Sequence, residues 1–159
     1  MNSQFLLGLL LTLLPVFELR AGLPVIVDYA LKNNLFLFPL FLLVIFLNIL
    51  VIFIAYFLLD FLNKELDNVG EYHKIAGMFL KRIRKKAKKI DSKIGFWKYF
   101  ALTVLVAIPL PGTGAWTGTI VAWILGLSRQ KSFIAISVGV LIAGVLVLAA
   151  SLGAFRFFY

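Results

Sequence analysis

Three long stretches of the chain contain no charged side chain, and they constrain its fold more than any other feature. They cover residues 35–59, 99–128 and 132–155, which is 25, 30 and 24 residues. About 20 apolar residues in a helix are enough to cross the roughly 30 Å hydrocarbon core of a bilayer. Hydrophobic residues make up 62% of the sequence and charged residues 14%, where soluble domains carry about 25% charge. A water-soluble fold of this size could not bury so much apolar surface, so we predict an all-α integral membrane protein.

The second uncharged stretch has a length that fits neither one span nor two. As one straight helix, residues 99–128 would be about 45 Å long, and two full spans need about 40 residues. Helix-breaking residues stand at its centre, namely Pro109, Pro111, Gly112 and Gly114. We therefore predict a re-entrant hairpin, in which two half-helices reach the middle of the membrane, turn and leave on the same side. Such irregular backbone is stable at membrane depth only when it is buried in protein or lines a wet cavity.

The N-terminal apolar segment, residues 2–31, is interrupted in a similar way. Its interruption runs from Pro15 to Pro24 and contains Glu18 and Arg20. We predict another re-entrant hairpin here and expect the two turns to pack against each other, since each must be covered. No basic residue precedes Arg20, as one would in a signal peptide, so we expect the segment to remain in the mature protein.

Positive charge is concentrated between the two halves of the chain. Eleven of the sixteen Lys and Arg residues lie between Lys64 and Lys98, within a net charge of +9. A basic stretch between apolar blocks is typical of a cytoplasmic loop under the positive-inside rule, and not of a nucleic-acid site. Apolar residues recur at three- and four-residue steps from Ile75 to Trp97, which predicts a basic amphipathic helix on the inner leaflet. Recruitment of an acidic partner is the alternative role for this helix.

These predictions combine into an inverted repeat within one membrane domain, residues 1–159. Residues 1–59 and 99–159 each form a re-entrant hairpin followed by a transmembrane helix, and residues 60–98 form the cytoplasmic loop. With the loop inside, both termini lie outside and thirteen Lys and Arg residues lie inside. This is the layout of many secondary transporters in the cell membrane. An arrangement of four full spans places twelve basic residues inside, so the charge count does not separate the two; the length of the second uncharged stretch favours the hairpins.

Small residues mark a packing surface in the last apolar stretch. Ala135, Gly139 and Ala143 recur at four-residue spacing, and small residues let helix backbones approach closely in lipid. This surface packs either within the monomer or between subunits, and a bundle this thin is compatible with a homodimer.

Two charged residues fall within the first interruption, Glu18 and Arg20. A charge near the bilayer centre costs about 2.5–3.5 kcal/mol, so both need a partner, solvent or a function. One interpretation is a salt bridge that only shapes the turn; we favour a substrate or ion site, because ionisable residues at membrane depth are usually functional. Asn48, midway along the first span, is a third buried polar candidate. Asp28 and Lys32 are spaced i, i+4 and are expected to form an ion pair at the membrane edge.

The predicted hairpins also indicate an anion-binding geometry. Their outgoing half-helices are expected to begin near Pro24 and after Thr113 and Gly114, with Thr113 as the N-cap residue. Both helix N-termini would then point to the middle of the membrane, where their free N–H groups favour a phosphate or a carboxylate. Arg20 adds a positive charge with a bidentate fork. We therefore expect an anion-accepting centre in which Glu18 carries a proton in exchange.

Two sequence signatures resemble those of a known family. The sequence LPVFELRAGLP at residues 14–24 resembles the LPxxELRxxxP signature of the small multidrug export protein family, and IPLPGTGAWTG at residues 108–118 is similar to that family's second signature. The resemblance covers nearly the whole chain apart from the loop, and it implies drug efflux. More distantly, the predicted layout resembles that of DedA-like membrane proteins, whose paired re-entrant hairpins are associated with the movement of polyprenyl-phosphate lipids across the membrane.

Three functional hypotheses remain open from the sequence. The first is a transporter that couples protons to the translocation of an anionic amphiphile, such as a lipid phosphate, with Arg20 on the anion and Glu18 on the proton. The second is a small multidrug exporter of cationic compounds, with Glu18 as counter-charge and Trp116 and Trp123 as aromatic surface. The third is a non-transporting membrane scaffold that binds a partner through its basic loop.

An enzyme is not expected, because the chain has no nucleophile–base pair or metal-ligand cluster, no cysteine and one histidine, His73. We expect no cofactor or metal; the expected partners are membrane lipids, a small amphiphilic substrate and protons. The residues expected to contact substrate or ion are Glu18, Arg20, Asn48, Gly112, Thr113, Gly114, Trp116 and Thr117, and the expected helix breaks are Pro15, Pro24, Pro109 and Pro111.

Overall fold

In the part of the chain that the computed structural model describes, all regular secondary structure is α-helix. This part comprises residues 3–66 and 95–155, together with residues 78, 82, 83 and 85, and it contains no strand. Of the predicted basic helix, from Ile75 to Trp97, the structure describes those four positions, which are helical, and residues 95–97, where a turn leads into the next helix. The rest of it and His73 fall outside the described residues. The all-α prediction is confirmed for the described ranges. The helices are α1 (Ser3–Leu13), α2 (Glu18–Lys32), α3 (Leu37–Leu66), α4 (Trp97–Ala107), α5 (Ala115–Ile124) and α6 (Arg129–Phe155).

Each half of the chain has two short helices followed by one long helix. The helices α3 and α6 have 30 and 27 residues, about 40–45 Å at 1.5 Å per residue. Both are long and apolar enough to cross a membrane, as predicted for the two spans. In contrast, α1, α4 and α5 have 11, 11 and 10 residues, about 15–17 Å each, or half of a hydrocarbon core.

Helices α1 and α2 form a close antiparallel hairpin around a turn at residues 14–17. Two glycines permit the close approach. A Cβ on Gly22 would lie 2.7 Å from the carbonyl oxygen of Gly8, and a Cβ on Gly8 would lie 2.7 Å from the Ile26 side chain. The predicted ion pair of Asp28 and Lys32 is present at 2.7 Å at the far end of α2.

The predicted start of the outgoing half-helix near Pro24 is wrong. Helix α2 begins at Glu18 and continues through Pro24, so the non-helical interruption holds Pro15 but not Pro24. Proline fixes φ at a helical value and removes one backbone donor, and packed neighbours allow a helix in an apolar environment to continue through it.

Helix α6 packs against α4 through the small residues that the sequence singles out. A Cβ on Gly139 would lie 2.7 Å from Val106 Cβ and 2.9 Å from the Thr103 carbonyl oxygen. The Thr103 hydroxyl donates to the Ala135 carbonyl at 3.0 Å, and Ala143 is buried. The predicted packing surface is therefore confirmed as a contact within the chain. The two halves of the chain differ in this packing. The first short helix of the second half, α4, packs mainly on α6, whereas the first short helix of the first half, α1, packs mainly on α2.

The surface of the long helices is strongly apolar. Apolar side chains are exposed along them, for example Phe46 and Phe57 on α3 and Val145 on α6, while others, such as Val51 and Val140, are fully buried. Exposed apolar surface of this extent fits lipid rather than water as the surrounding solvent.

Candidate functional site

The carboxylate of Glu18 lies at the N-terminus of α5. Glu18 is only 1% exposed. Its Oε2 accepts a hydrogen bond from the Ala115 backbone N–H at 3.1 Å, and its Oε1 accepts one from the Trp116 N–H at 3.0 Å. The first N–H groups of a helix have no partner inside that helix. Glu18 therefore caps α5 from the start of α2, across the boundary between the two halves.

Arg20 joins this carboxylate to the backbone of the second interruption. Its Nη1 donates to Glu18 Oε2 at 3.0 Å, and its Nη2 lies 2.6 Å from the Thr113 carbonyl oxygen and 3.1 Å from that of Ile108. The carbonyls that end α4 have no helical partner, and the prolines at 109 and 111 bring no N–H of their own. The guanidinium supplies the missing donors there, while Arg20 Nε is buried without a hydrogen-bond partner among the described residues.

Gly114 makes room for the charged pair. It occupies the N-cap position of α5, and a Cβ built there would overlap Glu18 Oε2 and lie 2.5 Å from Arg20 Nη1. Gly112, at the exposed tip of the turn, has φ +81° and adopts the left-handed conformation that glycine tolerates.

Thr113 does not cap α5, so that prediction is wrong. Its hydroxyl lies 2.8 Å from the Ile108 carbonyl oxygen and 2.9 Å from that of Leu110, which closes the turn of the second interruption. The charged carboxylate of Glu18 is the stronger acceptor for the N–H groups of α5, and it leaves the threonine hydroxyl for the turn.

The end of α1 is held by two other predicted residues. Trp116 Nε1 donates to the Leu13 carbonyl at 3.1 Å, and Asn48 Nδ2 donates to the Thr12 carbonyl at 3.2 Å. Asn48 is fully buried, but its bond is to α1 and not to the charged pair. Both contacts fix the first interruption against neighbouring helices.

Glu18 also has an unusual backbone conformation, with φ +47°. A non-glycine residue in the left-handed region costs free energy and persists where its surroundings hold it. Here the side chain is held by Arg20 and by the two N–H groups of α5. This conformation turns the chain sharply into α2 and places the carboxylate in the junction.

The structure thus brings most of the predicted site together. Glu18, Arg20, Thr113, Gly114 and Trp116 form one contiguous cluster, which we call the charged junction. Thr117 belongs to its second turn, where the hydroxyl donates to the Gly112 carbonyl at 2.6 Å. The prediction that the two interruptions pack against each other is confirmed. Of the predicted breaks, Pro15, Pro109 and Pro111 lie in the non-helical segments between helices.

A second polar cluster was not predicted. Trp123 Nε1 donates to Asp60 Oδ1 at 3.0 Å, and Arg129 Nη2 lies 2.9 Å from Asp60 Oδ2. The sequence does hold a signal for this pair, because Asp60 and Arg129 are the first charged residues after the uncharged stretches 35–59 and 99–128. Each therefore stands where a long apolar segment meets a polar boundary.

Two membrane-length helices, a lipid-compatible surface and a buried ionic junction define an integral membrane protein with a charged pair inside an apolar core. A family model described as "Putative small multi-drug export protein" matches residues 18–146. The chain belongs to this family, whose description is that of an exporter and not of an enzyme. The match begins at Glu18 and includes every residue of the charged junction. No curated protein and no solved structure matches the chain.

Proposed function

We propose that the chain is a membrane transporter that couples protonation of Glu18 to the translocation of an anionic amphiphile at the charged junction. The observation that carries the proposal is the position of the Glu18 carboxylate, buried at the N-terminus of α5 beside Arg20. A helix N-terminus next to a guanidinium is a general anion-binding arrangement. Glu18 occupies the position that a substrate phosphate or carboxylate would take.

The proposal includes a membrane topology. We propose that α1 and α2 enter from one side of the bilayer, that α4 and α5 enter from the other, and that the charged junction lies near the midplane. The short lengths of α1, α4 and α5 support this course, since none of them could cross the hydrocarbon core alone. The contact between the two interruptions supports it as well.

The hydrogen-bond donors around the Glu18 carboxylate support proton coupling. Its carboxylate accepts hydrogen bonds from Arg20, Ala115 and Trp116, and all three donors suit a phosphate oxygen equally well. Protonation of Glu18 removes its negative charge, so the junction is left with the positive charge of Arg20 and the partial positive charge of the helix end. A substrate anion then replaces the carboxyl group, and loss of the proton restores the resting contacts.

The exposed tips of the two turns provide a route for the apolar part of the substrate. Val16 is 64% exposed in the first turn and Leu110 is 57% exposed in the second. Irregular backbone at membrane depth needs cover from protein or a cavity. The hydrocarbon chain of an amphiphile that enters from the lipid would provide such cover while its head group reaches Arg20.

The test uses protein reconstituted into liposomes and a nitrobenzoxadiazole-labelled phosphatidic acid, whose leaflet is read by dithionite quenching. We expect translocation that depends on a pH gradient. Glu18→Gln mimics the protonated carboxyl, so translocation should persist but lose its dependence on pH. Arg20→Ala should abolish translocation, and Arg20→Lys, which keeps the charge but loses the fork, should retain part of it. Unchanged translocation by Arg20→Ala would contradict the proposal.

Export of cationic compounds is the second candidate function, and the family description favours it. In that case Glu18 would be the counter-charge, so Glu18→Gln should abolish export of tetraphenylphosphonium while Arg20→Ala spares it. The scaffold hypothesis gives a third result. A scaffold would keep its function in both variants and lose it when the basic residues between Lys81 and Lys89 are neutralised.

A further inference from the structure

An aromatic groove lies between α3 and α6, away from the charged junction. Its volume is about 700 Å³, within the range of sites that bind drug-sized ligands, roughly 300–1,000 Å³. Phe57, in its wall, is 70% exposed, so the groove is open on one side. Four aromatic residues and one charged pair line it: Phe53, Tyr56, Phe57, Phe133, Asp60 and Arg129.

The guanidinium of Arg129 occupies the polar end of this groove. Its Nη2 lies 2.9 Å from Asp60 Oδ2, and its Cζ lies 5.5 Å from the centroid of the Tyr56 ring. A carboxylate together with an aromatic face is the arrangement that recognises organic cations. Trp123 Nε1 donates to Asp60 Oδ1 at 3.0 Å and fixes the orientation of the carboxylate, and Arg129 Nη2 also donates to this oxygen at 3.0 Å. The groove therefore contains a formed cation position, with a side chain of the protein in it.

We propose that this groove binds an amphiphilic organic cation and that Arg129 is its intramolecular competitor. The Arg129 side chain is 65% exposed, and an ion pair this exposed contributes little net free energy, so a ligand can displace it. The ligand cation would lie between Asp60 and the Tyr56 ring, and its apolar body would lie against Phe53 and Phe57. The proposal goes beyond the transport function, because it uses no residue of the charged junction.

The test measures binding of tetraphenylphosphonium to the full-length protein in neutral detergent by equilibrium dialysis. Tetraphenylborate has the same shape and the opposite charge, so it is the matched control ligand. We expect the phosphonium to bind and Asp60→Asn to weaken its binding about tenfold or more, because the counter-charge is lost. Tyr56→Leu should also weaken binding, since it removes the aromatic face.

The Arg129→Gln variant distinguishes competition by Arg129 from a structural role of its ion pair with Asp60. Removal of the competing guanidinium should tighten phosphonium binding several-fold. Asp28→Asn removes a carboxylate from an ion pair on α2 that belongs to neither site, so it is the matched control and should leave binding unchanged. No variant in this test changes the charged junction, so a failure of this proposal is distinguishable from a failure of the transport proposal. Folding of every variant is checked by size-exclusion chromatography; if Asp60→Asn does not fold, Arg129→Gln and Tyr56→Leu still decide the question.

Three outcomes would overturn the proposal: unchanged phosphonium binding in folded Asp60→Asn, weaker binding in Arg129→Gln, or tighter binding of the borate than of the phosphonium. A lipid head group and a soluble compound share the same cation chemistry, and competition separates them. Displacement of the phosphonium by phosphatidylethanolamine but not by phosphatidylglycerol assigns the groove to a lipid ammonium group. Absence of competition by either lipid assigns it to a soluble amphiphilic cation.

Discussion

At the scale of single residues, the side chains of the charged junction are closely packed. Glu18 neutralises Arg20 and caps α5 at the same time, and both contacts pass through the space next to Gly114. A buried pair of opposite charges is stable only when its remaining hydrogen-bonding groups are satisfied. Backbone groups around 106–116 satisfy most of these groups, and Arg20 Nε is the exception among the described residues. A small change of shape at this point therefore affects several hydrogen bonds at once.

We expect Gly114→Ala to destabilise the fold and to disrupt the junction. The added Cβ would overlap Glu18 Oε2, and insertion of a methyl group into a packed site typically costs about 1–3 kcal/mol. The measurement is the free energy of unfolding in mixed detergent micelles, together with translocation in liposomes. Gly153→Ala is the matched control, since a Cβ there meets nothing within 4 Å. Equal stability of the two variants would contradict the geometry of the junction.

Asn48→Leu separates a structural from a functional role for Asn48. Its hydrogen bond to the Thr12 carbonyl is an interhelical bond in an apolar environment, and such bonds contribute about 0.6 kcal/mol on average. We expect a loss of stability of that order and little change in translocation by reconstituted protein. Loss of translocation at unchanged stability would instead show that Asn48 contacts the substrate.

At the scale of helices, contacts between small residues decide which helices are neighbours. In lipid, apolar burial does not distinguish one helix from another, so close backbone approach and shape carry the specificity. Gly139 against Val106 sets the contact of α6 with α4, and Gly144 against Ile45 sets that of α6 with α3. Helix α6 therefore contacts both α4 and the first long helix, α3.

We expect Ala143→Leu to be strongly destabilising and Ala149→Leu to be tolerated. Both residues lie on α6, but Ala143 is 1% exposed whereas Ala149 is exposed. The larger side chain at 143 would separate packed helices at a cost of about 1–3 kcal/mol, while the same change at 149 enlarges an apolar surface. Thermal stability in detergent measures the difference. A similar loss in both variants would mean that position 149 is also packed against protein.

Much of this element order could be predicted from the sequence, because span length and helix breaking are local properties. Uncharged stretches gave the long helices, and the prolines at 109 and 111 marked the second interruption. The start of α2 at Glu18 was missed because a proline inside a helix and one at its first turn look alike in sequence. The cap of α5 by Glu18 could not be foreseen, since the partners are 97 residues apart and meet only when the two interruptions pack against each other.

At the scale of the whole molecule, the ion pair between Asp60 and Arg129 relates the directions of the two long helices. Asp60 lies near the end of α3 and Arg129 begins α6, so the C-terminal end of one is beside the N-terminal end of the other. Four full spans would put these two residues on opposite sides of the membrane. Paired re-entrant hairpins put them on the same side, which supports the proposed topology.

Single cysteines test this topology directly, because the natural chain has none. We expect a cysteine at Ser128 to react with an impermeant maleimide from the side opposite to cysteines at Phe36 and Ala154. Labelling is compared in intact cells and in inverted vesicles, with permeabilised membranes as the control for reactivity. Labelling of positions 128 and 36 from the same side would instead support four spans and would remove the proposed meeting point of the hairpins.

The cap of α5 has a consequence for how the chain is made. Gly114 provides no side-chain oxygen for the first N–H groups of this helix, and Glu18 provides it from a position far earlier in the chain. Since synthesis proceeds from the N-terminus, the acceptor is already inserted when these donors emerge from the ribosome. In a circular permutant whose second half is translated before its first, the N-terminus of α5 would stay uncapped in lipid until Glu18 was synthesised.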